Sequence, residues 1–218
     1  MLKEEEYQEL HRLSKQLYLP AAEAFLALET RDRDGIITDV YRQRSHTWVR
    51  NLWNQVIGNI ATAVTDTATF GAGHINWKST AATITNLIVT TAEGGQGSVA
   101  AGNTNYGILV GTGTTAWSFE DYALATKIAH GTGSGQLSYA GQVAPSLSWN
   151  SGTRVYSIQI QRQFSNNSAG SITINEVGFF QNVAAAYIMM CRDVLAVGKT
   201  LAPGANTTAS YVFTLTYP

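Results

Sequence analysis

Residues 106–131 read YGILVGTGTTAWSFEDYALATKIAHG, and their reading decides how the rest of the chain is understood. A short β-type run, Ile108, Leu109 and Val110, meets a glycine-threonine turn, and a compact helical signal and a second glycine cluster follow. This is the pattern of a corner where a sheet changes direction. Two chemistries compete for it. Gly111-Thr-Gly113-Thr-Thr-Ala116 has the form GxGxxA, which binds a dinucleotide only where the strand opens a βαβ unit and a helix N-terminus faces the pyrophosphate. Here strands surround the motif and the helical signal starts only after Trp117, so a turn is the better reading. Ser118-Phe-Glu-Asp121 fits a capping box, with Asp121 in place of the usual Glu at the third helical position and Trp117 set to staple against Tyr122. Leu124 and Ile128 then share a face. The spacing predicts a short self-capped helix over 119–126.

Around the corner, from His74 onward, apolar residues recur with period two. The candidate strands are 74–78, 83–91, 106–111, 136–143, 154–164, 171–180, 186–194 and 210–217, separated by Gly, Asn, Ser and Pro turns. Runs of this kind predict a mainly β fold, a sandwich or barrel. Tyr156, Ile158, Ile160 and Phe164 alternate with Ser157, Gln159, Gln161 and Gln163, so the outward faces are polar but uncharged. Two charges break the pattern. Glu176 keeps the phase of Ile172 and Ile174, and Arg162 that of Ile158 and Ile160, so both point to the core unless a bulge shifts them. A buried charge needs a partner, and Arg162 or Arg192 is the candidate for Glu176. The competing reading makes Glu176 and Asp193 a glycosidase pair, which requires a sugar cleft between them.

Upstream, residues 2–19 read as an amphipathic helix with Leu10, Leu13 and Leu17 on one narrow stripe among charges. That stripe packs on its own domain or docks on a partner chain. Pro20 ends the helix or opens a second short one through Ala21–Ala24. Two extended runs joined by Arg33-Asp34-Gly35 predict a hairpin. A calcium loop is excluded there, because Thr30 and Tyr41 fall where carboxylates are required. A second amphipathic helix follows, with Ser45 as N-cap and Trp48, Val49, Leu52, Trp53, Val56, Ile57 and Ile60 on its apolar face. Trp48 and Trp53 cover the end of the β domain or anchor a partner. The cluster Arg42, Arg44, His46 and Arg50 does not make a nucleic-acid footprint, since acidic residues upstream cancel its field. The domain reading is a docking region of helix, hairpin and helix over 1–70 and a β-sandwich over 71–218.

Charge is distributed unevenly. Eight of the 14 Lys and Arg and nine of the 15 Asp and Glu fall in residues 1–50, leaving the β region with a surface of Thr, Ser, Asn and Gly. Such a surface suits coverage by neighbouring subunits. The single cysteine, Cys191, excludes an internal disulfide and reads as a buried thiol. The acidic amino terminus is not a signal peptide, and no run approaches the ~20 apolar residues of a membrane helix, so synthesis in a cytoplasm is expected. His11, His46, His74 and His130 lack metal-ligand spacing, and there is no GxSxG or HExxH. Gly198-Lys199-Thr200 lacks the upstream glycine of a phosphate loop and reads as a hairpin connection; Asn166-Asn-Ser168 and Asn206-Thr-Thr208 read as polar turns. No enzyme activity, cofactor or metal is expected.

Three segments together resemble structural proteins of tailed-bacteriophage virions: residues 106–139, the run NNSAGSITINEVGFFQN at 166–182, and the ending YIMMCRDVLAVGKTLAPGANTTASYVFTLTYP at 187–218. The upstream RDGIITDVYRQRSHTWVRNLWN is similar to their amino-terminal portion, so the likeness runs from Arg33 to Pro218. The resemblance implies a jelly-roll-like antiparallel β-sandwich used in many copies in a head, neck or tail, and it transfers no catalytic residue. The partners it implies are other copies of the chain and other virion proteins, with no nucleic acid and no membrane, and the location is the virion. The alternative is a glycan-binding sandwich using Trp77, Trp117 or Trp149. The weakest reading is a glycan hydrolase on Glu176 and Asp193.

Overall fold

The computed structural model describes residues 4–45, 48, 49, 52, 98–183 and 186–218. The expected strands at 74–78 and 83–91, the second helix beyond Leu52, and the residues Trp53, Trp77, His46 and His74 lie outside them. Helix α1 (Glu4–Leu17) carries Glu4, Glu5 and Glu6 in its first turn and Lys15 in its last, which suits the helix dipole. Tyr18 at φ 54° closes it. Pro20 does not open a second helix. Strand β1 (Ala21–Arg31) starts at once, because Ala21 and Ala24 are already in register with Thr216 and Phe213.

The remaining strands are β2 (Ile37–Arg44), β3 (Gly107–Gly111), β4 (Ser138–Tyr139), β5 (Ser146–Asn150), β6 (Val155–Ser165), β7 (Ile172–Val183), β8 (Ala186–Leu201) and β9 (Asn206–Thr216). The first sheet runs β2-β1-β9-β6-β4, with β5 also paired to β6, and the second runs β3-β7-β8; every ladder is antiparallel. The hairpin β1–β2 forms where the Asp-Gly pair places it. Gly35 sits at φ 83°, and Asp32 Oδ1 accepts from the amides of Asp34 and Ile36. This hairpin, grouped by sequence with an amino-terminal docking region, is hydrogen-bonded along β9 for its whole first strand.

Several boundaries differ from expectation for identifiable reasons. The run 136–143 keeps only the two-residue β4, since His130 and Val99 take Leu137 and Gln142 in isolated bridges. Strand β5 is missed because it holds just two apolar residues, Leu147 and Trp149, after a proline. Gly198-Lys199-Thr200 is not a connection: Lys199 and Thr200 pair with Ile174 and Thr173 inside β8, and the turn comes later at Pro203-Gly204. Asn166 is not an exposed turn residue. Its amide donates to Gly170 and Leu201 carbonyls from a fully buried position and so locks the turn between β6 and β7.

The core lies between the sheets. Leu26, Leu28, Ile160 and Tyr211 from the first meet Ile108, Val177, Phe179 and Cys191 from the second. The opposite face of the second sheet is roofed by the corner segment 112–128, which buries Leu124 and Ile128. Trp48, Val49 and Leu52 belong to the core cluster or pack against it, with Trp48 bridged to Cys191. The chain is thus mainly β, with two packed antiparallel sheets, and among the described residues neither sheet closes into a barrel.

Three buried acids couple this core to alkaline pH. Burial pushes the Cys191 thiol and the Tyr139 and Tyr211 phenols above their ordinary values of 9.0, 10.0 and 10.0. Each holds its proton more tightly folded than unfolded, so its stabilisation is complete below those values and is lost as pH rises beyond them. Arg162 acts oppositely. Burial lowers it from 12.5 to about 10, so its penalty is relieved between those values. Burial also raises Tyr7 and lowers Lys127; the acids outnumber the bases, so the denaturant midpoint should fall from about pH 9 upward, with a shallower fall in Tyr139→Phe. A midpoint constant to about pH 11 would contradict this.

Candidate functional site

The register of β7 and β8 sets Gly178 opposite Arg192 and Glu176 opposite Val194, which puts Glu176 and Arg192 diagonally on one face. Arg192 Nε donates to Glu176 Oε2 at 2.7 Å, and the side chains are 2% and 0% exposed. The other guanidinium nitrogens donate to Asp121 Oδ2 and the Thr115 carbonyl, both at 2.9 Å. Burial alone would lower the Arg192 pKa, but the bonds to Glu176 and Asp121 outweigh it and hold the group above its ordinary value. Glu176 in turn accepts three backbone amides: Gly113 at 3.1 Å and Thr126 at 2.7 Å on Oε1, and Ala125 at 3.0 Å on Oε2. Both ends of the corner segment are therefore tied to one ion pair.

This geometry explains the glycines of GxGxxA. A Cβ on Gly111 would lie 2.4 Å from Glu176 Oε1, and one on Gly113 2.5 Å from it. The backbone closes on a carboxylate because neither residue has a side chain. The motif cradles an anion, and the anion is the protein's own.

The same contacts overturn the helix expected over 119–126. The capping hydrogen bonds do form: Ser118 N donates to Asp121 Oδ2 at 3.0 Å, and Ser118 Oγ accepts from Glu120 N at 3.2 Å. A single turn results, and no helix follows it. Propagation would need the amides of Ala125 and Thr126 for carbonyls one turn back. Glu176 takes those amides instead.

Asp193 follows Arg192 on the strand and so faces the other way, between the sheets. Its Oδ2 accepts from Ser45 Oγ at 2.7 Å and Tyr211 OH at 2.9 Å, and its Oδ1 from Gln43 Nε2 at 3.1 Å. Glu176 and Asp193 are both fully buried and lie on opposite faces of one sheet, so they do not flank a common cleft. Among the described residues no group of three or more His, Cys, Asp or Glu is placed to hold a metal ion.

Arg162 does not join Glu176. It points inward from β6 on the first sheet, whereas Glu176 faces away from that sheet. Its guanidinium donates to the carbonyls of Ala140, Asn103 and Ile108 at 2.9, 2.7 and 3.1 Å, with longer bonds to Tyr106 and Ala100, and it lies 5.0 Å from the Tyr139 ring centroid. It staples the segment preceding β3 to the core without a carboxylate.

Helix α1 sits on the outer face of the first sheet. Tyr7 and Ser14 are buried, His11 Nε2 lies 3.0 Å from Glu23, and the Arg44 guanidinium stacks between the rings of Tyr7 and Phe25 while pairing with Glu23 and Glu4. The leucine stripe is about a quarter-turn away on the helix, by 100° per residue. Leu10, Leu13 and Leu17 are 39%, 37% and 58% exposed. Beside the helix, the same face of the sheet holds a groove of about 810 Å³. Its middle row is Arg42, Ala27, Ser210 and Gln161, and Phe25 and Val212 form one wall. Trp48, by contrast, is half-buried against Phe213 and packs against the core.

Sequence reasoning placed Glu176 inside and offered Arg192 as one of two partners for it, but missed Asp121, whose capping signal concealed its role as second carboxylate for Arg192. Removing the cation should expose the dependence. Arg192→Met leaves Glu176 and Asp121 uncompensated and should destabilise by about 3–5 kcal/mol in denaturant unfolding. Gly113→Ala forces the loop off the carboxylate and should cost about 1–3 kcal/mol. A loss below about 1 kcal/mol in Arg192→Met would refute the assignment. No family model, curated protein or solved structure matches the chain, so its site is defined by this geometry alone.

Proposed function

We propose that the chain is a non-enzymatic building block of a tailed-phage virion, used in many copies with its two sheets forming a jelly-roll-like sandwich. The observation that carries this reading is the placement of α1. One face of the helix is fixed to the chain's own sheet by Tyr7, His11 and Ser14, and the adjacent face presents Leu10, Leu13 and Leu17 outward. Exposed leucines at i, i+3 and i+7 are the pattern by which a helix meets another chain. Two features support it. The charged nodes are consumed internally, with Glu176 and Asp193 fully bonded, and the chain beyond residue 50 carries few charges. The likeness from Arg33 to Pro218 points the same way.

A glycan-binding role is the second reading, favoured by the groove beside α1. Its lining of Gln159, Gln161, Thr208, Ser210 and Arg42 next to Phe25 offers hydrogen-bonding groups and one ring. Trp117 and Trp149 are also exposed, at 38% and 54%.

The full chain should self-associate in sedimentation velocity and occur stoichiometrically in purified particles. Leu13→Glu with Leu17→Glu should weaken association at least about tenfold, equivalent to about 1.4 kcal/mol, while leaving thermal stability unchanged. A chain monomeric at all concentrations and missing from particles would contradict the proposal. Binding on a glycan array, abolished by Gln161→Ala, would favour the second reading.

A further inference from the structure

We infer that β5 is an edge through which two copies of the chain join, antiparallel and centred on Ser148, to make one continuous sheet. The inference rests on the assembly reading above and names one of its interfaces. Among the described residues β5 is paired with β6 alone, and all five of its residues, Ser146 to Asn150, are exposed. Natural edge strands are ordinarily guarded against pairing by lysines, inward charges, prolines or bulges. The strand SLSWN has none of these within it; Pro145 stands just before its first residue, outside the pairing centred on Ser148. The opposite edge of the same sheet is guarded: β2 carries Asp39, Arg42 and Arg44, and Lys199 Nζ lies 2.9 Å from Asp39.

The side chains say which strand fits. Leu147 and Trp149 stand opposite Ile158 and Tyr156 in the ladder, so they extend the apolar face of β6 beyond the core. They are 62% and 54% exposed, and the Trp149 ring meets Tyr217 edge-on with centroids 5.7 Å apart. Ser146, Ser148 and Asn150 occupy the other face. A two-fold axis through Ser148 makes this sequence self-complementary. Ser148 faces its own copy, Leu147 of each chain faces Trp149 of the other, and Ser146 faces Asn150. Aliphatic-aromatic and hydroxyl-amide pairs are favourable cross-strand neighbours, and no like charges meet. A two-fold interface requires this kind of self-matching patch. It would join two six-stranded sheets edge to edge.

The test is a single-cysteine cross-link in the full chain. Cys191 is fully buried with its thiol pushed up, so it stays silent under mild oxidation. Directly opposed cysteines on antiparallel strands have Cα atoms about 4.5–5.5 Å apart, within disulfide reach. Ser148→Cys should therefore convert mostly to a covalent dimer, while Val197→Cys, also exposed but on β8, should not. Adding Leu147→Lys and Trp149→Lys to Ser148→Cys should reduce the dimer yield at least about tenfold with an unchanged far-ultraviolet spectrum. A chain that sediments as a multimer yet gives no Ser148→Cys dimer would overturn the edge assignment and leave the assembly reading standing. So would a dimer indifferent to the lysines, or a strand of another protein captured at residue 148. A Ser148→Cys dimer from a chain missing from particles would support the edge and contradict the virion reading.

Discussion

The ion pair of Glu176 and Arg192 is the constraint on which the rest of the structure depends. Two charges taken out of water are costly unless every lone pair and proton finds a partner, and here the partners are supplied by a segment with no regular structure of its own. Residues 112–128 give three amides and one carbonyl to the pair and add Asp121 as a second carboxylate. The segment can then bury Leu124 and Ile128 over a sheet that is three strands wide among the described residues. The charges specify the loop, and the loop completes the cover of the second sheet.

How far this was readable in the sequence depends on where each hydrogen bond ends. The β1–β2 hairpin was legible because Asp34-Gly35 determines it locally, and the inward phase of Ile160, Arg162 and Phe164 because alternation is a property of one strand. The buried positions of Glu176 and Arg162 followed from the same phase. Which of the two candidate arginines meets Glu176 did not: the structure selects Arg192, since partnership depends on which sheet each strand joins and which way it faces. The corner failed for the same reason. Ser118 and Asp121 encode the start of a helix, and the structure makes that start, but a carboxylate 50 and 51 residues further along the chain claims the amides that would extend it. Local propensity was outweighed by a long-range bond.

Function follows from what the interior leaves over. The charges that looked most like chemistry are bonded inside: Glu176 and Asp193 on opposite faces of one sheet, and Arg162 in a ring of carbonyls. The outward surfaces are of another kind. They are a leucine face on a helix already anchored by its neighbouring side, an uncharged edge strand, and a polar groove floored by Ala27 and Ser210. Surfaces of this kind are what the proposed assembly would cover, and a low density of charge favours close contact of that sort.

The most direct test of the central claim is native-state amide hydrogen exchange at Gly113, Ala125 and Thr126. Regular structure does not protect these amides, so any protection reports their bonds to Glu176. They should exchange as slowly as Val110 and Val177 in the core strands, opening only with global unfolding. Exchange at the rate of a freely solvated loop, with Val110 and Val177 still protected, would contradict it.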